Sequence, residues 1–213
     1  MAVVRHATLA VTPMAPSGGL GHFPGHHDNG AAMSFDPDLV RACTRCPLAS
    51  SRTHVVVGSG PLTARLLVIG EAPGRDEDLQ GQPFVGRSGQ LLFRLLAEEV
   101  GLSREECYVT NTLKCRPPGN RVPGPAELAA CRPWLDEQRD QCAASVTLAV
   151  GLTAAREVLG ATLPMGRIHG RPRHLEGGSG LATYHPAAAL RNPEIVDVMR
   201  ADLRVLSALL EHA

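Results

Sequence analysis

The chain has 213 residues, 44% hydrophobic and 20% charged, the balance of a globular domain large enough to bury its own core. Its 21 basic residues equal its 21 acidic ones, so net charge alone marks neither a nucleic-acid nor a membrane-surface binder. No stretch approaches the roughly 18 apolar residues of a membrane span. Residues 1–33, broken by Pro13, Pro16, Gly18, Gly19 and Gly21, hold no continuous apolar core of a secretion signal. The expectation is therefore a cytoplasmic monomer with no membrane partner, where six cysteines point to metal binding or catalysis before disulfides.

Charge is distributed less evenly than the total suggests. Residues 71–109 carry four Arg against eight Asp and Glu, whereas 110–191 carry nine Arg and Lys114 against six. The second half can thus present a basic face.

Residues 1–33 are rich in Gly, Pro and His, lack lasting periodicity and read as a disordered extension containing His22, His26 and His27. The structured domain is expected over 34–213. Asp36 is placed to cap a short helix leading into Cys43-Thr-Arg-Cys46. An apolar run over 65–69 ends at Gly70 and predicts a buried strand. Leu91, Leu92, Leu95 and Leu96 recur at helical spacing over 89–100, with Gly101 as the stop. A second strand is expected over 107–111 and a helix over 125–143, opened by Pro125. A third strand covers 145–150, followed by Gly151 and a helix to Gly160. A fourth strand covers 180–184, and an amphipathic helix over 195–210 closes the chain.

Strands alternating with helices predict a parallel sheet covered on both faces. Ligands of such sheets sit beyond the carboxyl ends of the strands. Glu71, Asn111 and His185 stand at the ends of the first, second and fourth strands, so all three are expected on one crevice.

Each motif carries an alternative. Gly70-Glu71-Ala72-Pro-Gly74 holds a carboxylate in a tight strand exit, which is either a site or a solvated loop. Gly81-Gln-Pro-Phe-Val-Gly86-Arg87-Ser88 resembles a nucleoside triphosphate loop. No strand precedes it directly, however, Pro83 stiffens it, and Arg replaces the usual Lys. Ser88 at a helix start can still hold one phosphate. Phe84 is either a stacking platform for a base or a hydrophobic plug. Cys43-x2-Cys46 signals a shared metal whose further ligands come from among Cys107, Cys115, Cys131 and Cys142. Four thiolates suit zinc or an iron–sulfur cluster equally, and spacing does not decide. His185 is either a satisfied histidine or a member of the crevice. Leu190-Arg191 pairs an apolar wedge with a cation, which suits opening a base stack while gripping a phosphate.

Taken together, 70–78, 81–86, 111–120 and 185–193 resemble the family 4 uracil-DNA glycosylases, and the likeness runs from about Cys43 to the C-terminus. The resemblance implies a three-layer α/β/α sandwich on a four-stranded parallel sheet. It implies a [4Fe-4S] cluster on Cys43, Cys46, Cys115 and Cys131, leaving Cys107 and Cys142 as non-ligands. It also implies uracil-containing DNA as the partner, Glu71 and His185 as catalytic groups and Glu77 as a second acidic position. Phe84 would stack on the base, Asn111 would read it, and Gly70, Ala72, Ser88, Leu190 and Arg191 would complete the substrate contacts. A relative that traps uracil covalently uses a histidine on an insertion; here that loop reads Gly119-Asn-Arg-Val-Pro123 and has none. The contrasting expectation is a non-catalytic iron–sulfur protein that binds DNA or assists a polymerase, which needs the cysteines but not the three crevice residues.

Overall fold

The computed structural model describes residues 35–213; the extension expected over 1–33, with His22, His26 and His27, lies outside them. Five strands, β1 (Leu66–Gly70), β2 (Cys107–Asn111), β3 (Val146–Val150), β4 (Arg173–Leu175) and β5 (Gly178–Thr183), form one sheet in the order β2-β1-β3-β5-β4. β1 pairs in parallel with β2 and β3, and β3 in parallel with β5. The helices are α1 (Pro37–Arg41), α2 (Arg75–Gln80), α3 (Arg87–Glu99), α4 (Pro125–Gln141), α5 (Leu152–Leu159), α6 (Met165–Ile168), α7 (Pro186–Ala189) and α8 (Glu194–Glu211).

Alternation along the strands creates the layers. Leu66 and Val68 of β1 point into one core with Leu92, Leu95 and Leu96 of α3 and Met199, Leu203 and Leu206 of α8. Leu67 and Ile69 point into the other with Leu135 of α4, Val158 of α5 and Ile168 of α6. Period-2 side chains on β1 thus meet period-3.6 stripes on both faces, which gives the α/β/α sandwich. Truncating a fully buried leucine such as Leu95 or Leu203 to alanine would cost about 2–5 kcal/mol.

The four parallel strands and the long helices stand where the sequence predicts them. The addition is β4, antiparallel to β5 at the sheet edge. Its three residues, Arg-His-Leu, are partly exposed and too short and polar to form an apolar run. The two-residue turn Glu176-Gly177 joins it to β5, with Gly177 at φ 81°, a conformation that glycine adopts without steric cost. At the other end of the chain Asp36 caps α1 as expected, its carboxylate accepting from the Asp38 N–H at 2.8 Å.

The acidic stretch after Gly74 folds as α2. Asp78 is buried, and its carboxylate accepts from the Thr53 N–H at 2.9 Å. A third, smaller apolar cluster joins Leu48, Leu113, Cys115 and Cys131, with Cys46 and Trp134 packed against it. It fastens the segment after α1 to the loop leaving β2 and to α4.

Candidate active site

The exits of β1, β2 and β5 open on one cavity of ≈ 420 Å³ whose walls include Glu71, Phe84, Ser88, Asn111, His185 and Arg191. Gly70, the last residue of β1, lies beneath it. A Cβ there would stand 2.4 Å from Asn111 Oδ1 and 2.5 Å from Phe84 Cζ. Glycine is therefore required because the amide and the aromatic ring both close onto the strand end.

Glu71 is half-buried, and one carboxylate oxygen accepts from the Thr153 hydroxyl at 2.6 Å. Thr153 lies in the first turn of α5, immediately beyond β3. It orients one oxygen of the carboxylate and leaves the other available to a water or a substrate.

Glu77 is buried, and both its oxygens meet backbone donors, one accepting from the Gly74 N–H at 3.1 Å and the other from the Gly86 N–H at 2.9 Å. The carboxylate braces the loop after β1 against the loop that carries Phe84. It borders the cavity, but its hydrogen bonds give it a positioning role.

His185 follows β5. Its Nδ1 accepts from the Ala187 N–H at 3.2 Å, so the proton of the neutral ring sits on Nε2. Burial first, and then the Arg191 cation, lower its pKa to about 4 against the opposing pull of Glu77. The ring is a neutral donor at physiological pH. It lies over the face of Phe84, centroids 6.3 Å apart and planes 26° from parallel. Gly151, at φ 93°, admits it, since a Cβ there would stand 3.2 Å from His185 Cβ.

Asn111 is 2% exposed at the end of β2. Among the described residues no hydrogen bond engages its side-chain amide. The backbone carbonyl of Asn111 accepts from Lys114 Nζ at 2.7 Å, and the same ammonium donates to Thr110 Oγ1 at 2.7 Å. Lys114 is almost fully buried, and desolvation lowers its pKa to about 8 while the nearby Cys131 and Cys115 oppose that shift. Lys114 also lines the space that the cysteines share.

Cys43, Cys46, Cys115 and Cys131 line one small cavity beside Trp134. Three N–H groups point at their sulfurs: Arg52 to Cys115 at 3.4 Å, the Lys114 backbone to Cys131 at 3.3 Å, and Trp134 Nε1 to Cys43 at 3.2 Å. Burial pushes the free Cys115 thiol up to about 11 and raises Cys131 as well. Thiolates there need positive partners, which a bound metal supplies by deprotonating them outright. Among the described residues no group of three or more His, Cys, Asp or Glu side chains is arranged to hold a metal ion; the four sulfurs instead surround a common space. All six cysteines are free. Cys107, its thiol pushed up to about 12 by burial, packs in one core and Cys142 in the other. Among the described residues no helix is long and apolar enough to cross a membrane.

A family model described as the uracil DNA glycosylase superfamily matches residues 57–205. The chain belongs to that superfamily. It is similar to a Type-4 uracil-DNA glycosylase of Thermotoga maritima, 43% identical over 75% of this chain and 84% of the relative. A second Type-4 uracil-DNA glycosylase, from Saccharolobus solfataricus, is 39% identical over 81% of this chain and 84% of its own length. A Type-5 uracil-DNA glycosylase of Pyrobaculum aerophilum is 30% identical over 80% and 87%.

Within this superfamily member, Glu71, Ala72, Glu77, Phe84, Ser88, Asn111, His185 and Arg191 share the cavity. Gly70 lies under it, and Leu190 stands 44% exposed beside Arg191 rather than in the wall. Sequence reasoning missed Thr153 and Arg121. The signal for Thr153 was its place just past β3, the one parallel strand whose exit was passed over. Arg121 borders the cavity and forms a two-pronged ion pair with Glu127 at 2.6 and 2.9 Å. That pair holds the Glu127 carboxylate down at about 2.

Proposed function

We propose that this chain is a uracil-DNA glycosylase that hydrolyses the N-glycosidic bond of deoxyuridine in DNA, leaving an abasic site and opening base excision repair. One observation carries the reading: a carboxylate, a neutral imidazole donor, an unengaged amide and an aromatic ring share one cavity of ≈ 420 Å³. A non-catalytic DNA-binding protein has no use for that set.

A base in duplex DNA must be turned out of the stack to reach such a pocket. Phe84 stacks on its face. The Asn111 amide offers a donor and an acceptor that match the carbonyl and imide N–H of uracil, a pattern that cytosine reverses. A buried amide left mispaired costs about 1–3 kcal/mol, which supplies discrimination. Leu190 wedges into the vacated stack, while Arg191 and Ser88 contact phosphate, and the second carboxylate, Glu77, keeps the two loops in place.

Bond cleavage leaves positive charge on the sugar and negative charge on the departing base. Glu71, held by Thr153, orients the attacking water and offsets the sugar's charge. His185 Nε2–H donates to the uracil oxygen where the negative charge gathers. A preorganised donor of this kind is worth about a hundred- to thousandfold in rate. No histidine lies in the loop over 119–123, so excision is hydrolytic and non-covalent.

Cys43, Cys46, Cys115 and Cys131 hold a [4Fe-4S] cluster in this reading, supported by four thiols on one cavity and three N–H groups aimed at their sulfurs. Held by these four residues, such a group would tie the segment after α1 to the loop after Lys114 and to α4. The protein acts as a cytoplasmic monomer.

Free uracil released from a single-uracil oligonucleotide tests the reading. Wild type releases it; Glu71→Gln and His185→Asn each slow release by about a hundredfold or more while keeping the visible absorbance of the cluster. Equal rates in all three proteins would refute these assignments.

A further inference from the structure

Phe84 has φ 53°, a left-handed conformation in which a bulky residue is a genuine outlier. Such a backbone persists only where its surroundings over-determine it, and it is found where function demands a fixed side chain. Two contacts lock it. Gly89, in the first turn of α3, packs so closely that a Cβ there would stand 2.0 Å from the Phe84 carbonyl oxygen. On the other side is Arg104, which opens the short 3-10 turn Arg104–Glu106 ahead of β2.

The Arg104 guanidinium donates from Nη1 to the Phe84 carbonyl at 3.1 Å, and from Nη2 to the Pro83 carbonyl and to Ser59 Oγ. Its central carbon, Cζ, lies over the Phe93 ring, 4.8 Å from the ring centre, and Phe93 in turn meets Phe84 edge-on at 6.4 Å. One cation thus grips two successive carbonyls of the strained loop and also backs the aromatic pair. Arg104 does not border the cavity. Its effect there passes through the Phe84 ring, which closes over Gly70 and faces His185.

We infer that Arg104 is a positioning residue for base recognition: its fork holds Pro83 and Phe84 in the left-handed turn that presents the ring to the extruded base. A lysine would not reproduce this, because its ammonium, though it can donate to two oxygens, lacks the wide planar fork that reaches Phe84, Pro83 and Ser59 while lying over Phe93. The inference deepens the proposed function and rests on the stacking role given to Phe84.

The test is a double-mutant cycle on the full-length protein, with Arg104→Ala, Phe84→Ala and the pair. The quantities are kcat and KM for a single-uracil oligonucleotide and the inhibition constant of free uracil. Arg104→Ala is expected to weaken inhibition by free uracil on the order of tenfold, with KM for DNA changed less than about twofold, because phosphate contacts dominate DNA affinity. In the Phe84→Ala background the same substitution is expected to change either quantity by less than about twofold, as for two residues acting as a unit. Losses that multiply would overturn the inference, since Arg104 would then act on its own. If Phe84→Ala leaves inhibition by uracil unchanged, the stacking role itself falls and the inference with it. An Arg104→Ala protein that fails to fold is replaced by Arg104→Lys, which keeps the cation and loses the fork. The same cycle then decides, with melting temperature and visible absorbance confirming an intact fold.

Discussion

Gly70→Ala isolates the geometry of the pocket from its chemistry. The added methyl would stand 2.4 Å from Asn111 Oδ1 and 2.5 Å from Phe84 Cζ. Ordinary contact begins near 3.4 Å, so the amide and the ring must each retreat by about 1 Å. A displacement of that size at a reacting centre costs on the order of a hundredfold in rate. Stability should move far less. Two side chains bordering a cavity can give way, and alanine in a strand regains about 0.5–1 kcal/mol over glycine. The assay is alkaline cleavage at the abasic site of a uracil-containing duplex under single-turnover conditions, beside a thermal melt. The expected result is a rate near one-hundredth of wild type with the melting temperature within about 4 °C, the most that roughly 1 kcal/mol shifts a domain of this size. A rate within twofold would refute the claim that Asn111 and Phe84 act from their observed positions.

Three further outcomes follow from other contacts. Thr153→Val removes the hydroxyl bonded to Glu71 at 2.6 Å and is expected to lower kcat by about tenfold or more, since hydrogen bonds to charged groups are worth about 1.5–3 kcal/mol; an unchanged kcat would show that Glu71 needs no orienting partner. Because folding lowers the His185 pKa to about 4 from an ordinary value of about 6.5, the unfolded chain binds the extra proton between those limits. Stability is therefore lost as pH falls from about 6.5 to 4 and is fully present above that window; chemical denaturation at several pH values should show this slope in wild type and its loss in His185→Gln. Cys115→Ser is expected to remove the visible absorbance of the cluster and lower the melting temperature, whereas Cys107→Ser in the core should keep the absorbance, and retention of the colour in Cys115→Ser would exclude Cys115 as a ligand.

Much of this architecture was legible because its signals are local. The apolar run of β1, the leucine spacing of α3 and the glycines that end β1 and follow β3 announce buried strands and amphipathic helices without tertiary information. The crevice was legible for the same reason, since residues just past parallel strands converge whatever the details of packing. What escaped depends on contacts between distant segments. β4 exists only because a glycine turn folds a short segment, two polar residues and Leu175, back onto β5. Glu77 and Asp78 look like a solvated acidic cluster until the N–H groups of Gly86 and Thr53 are seen to meet them. Arg104 has no motif at all; its role comes from carbonyls about 20 residues earlier in the chain. The cysteines fall between these cases. The Cys-x2-Cys pair is a local signal, whereas the choice of Cys115 and Cys131 came only with the family resemblance; the fold sends Cys107 and Cys142 into separate cores.

The most direct measurement is the fate of one duplex oligonucleotide with a single uracil, incubated with the full-length protein and treated with alkali. A break is expected at the uracil position, none when cytosine or thymine replaces it, and that break is lost in Glu71→Gln. An intact strand with folded, cluster-bearing wild type would contradict the proposed function.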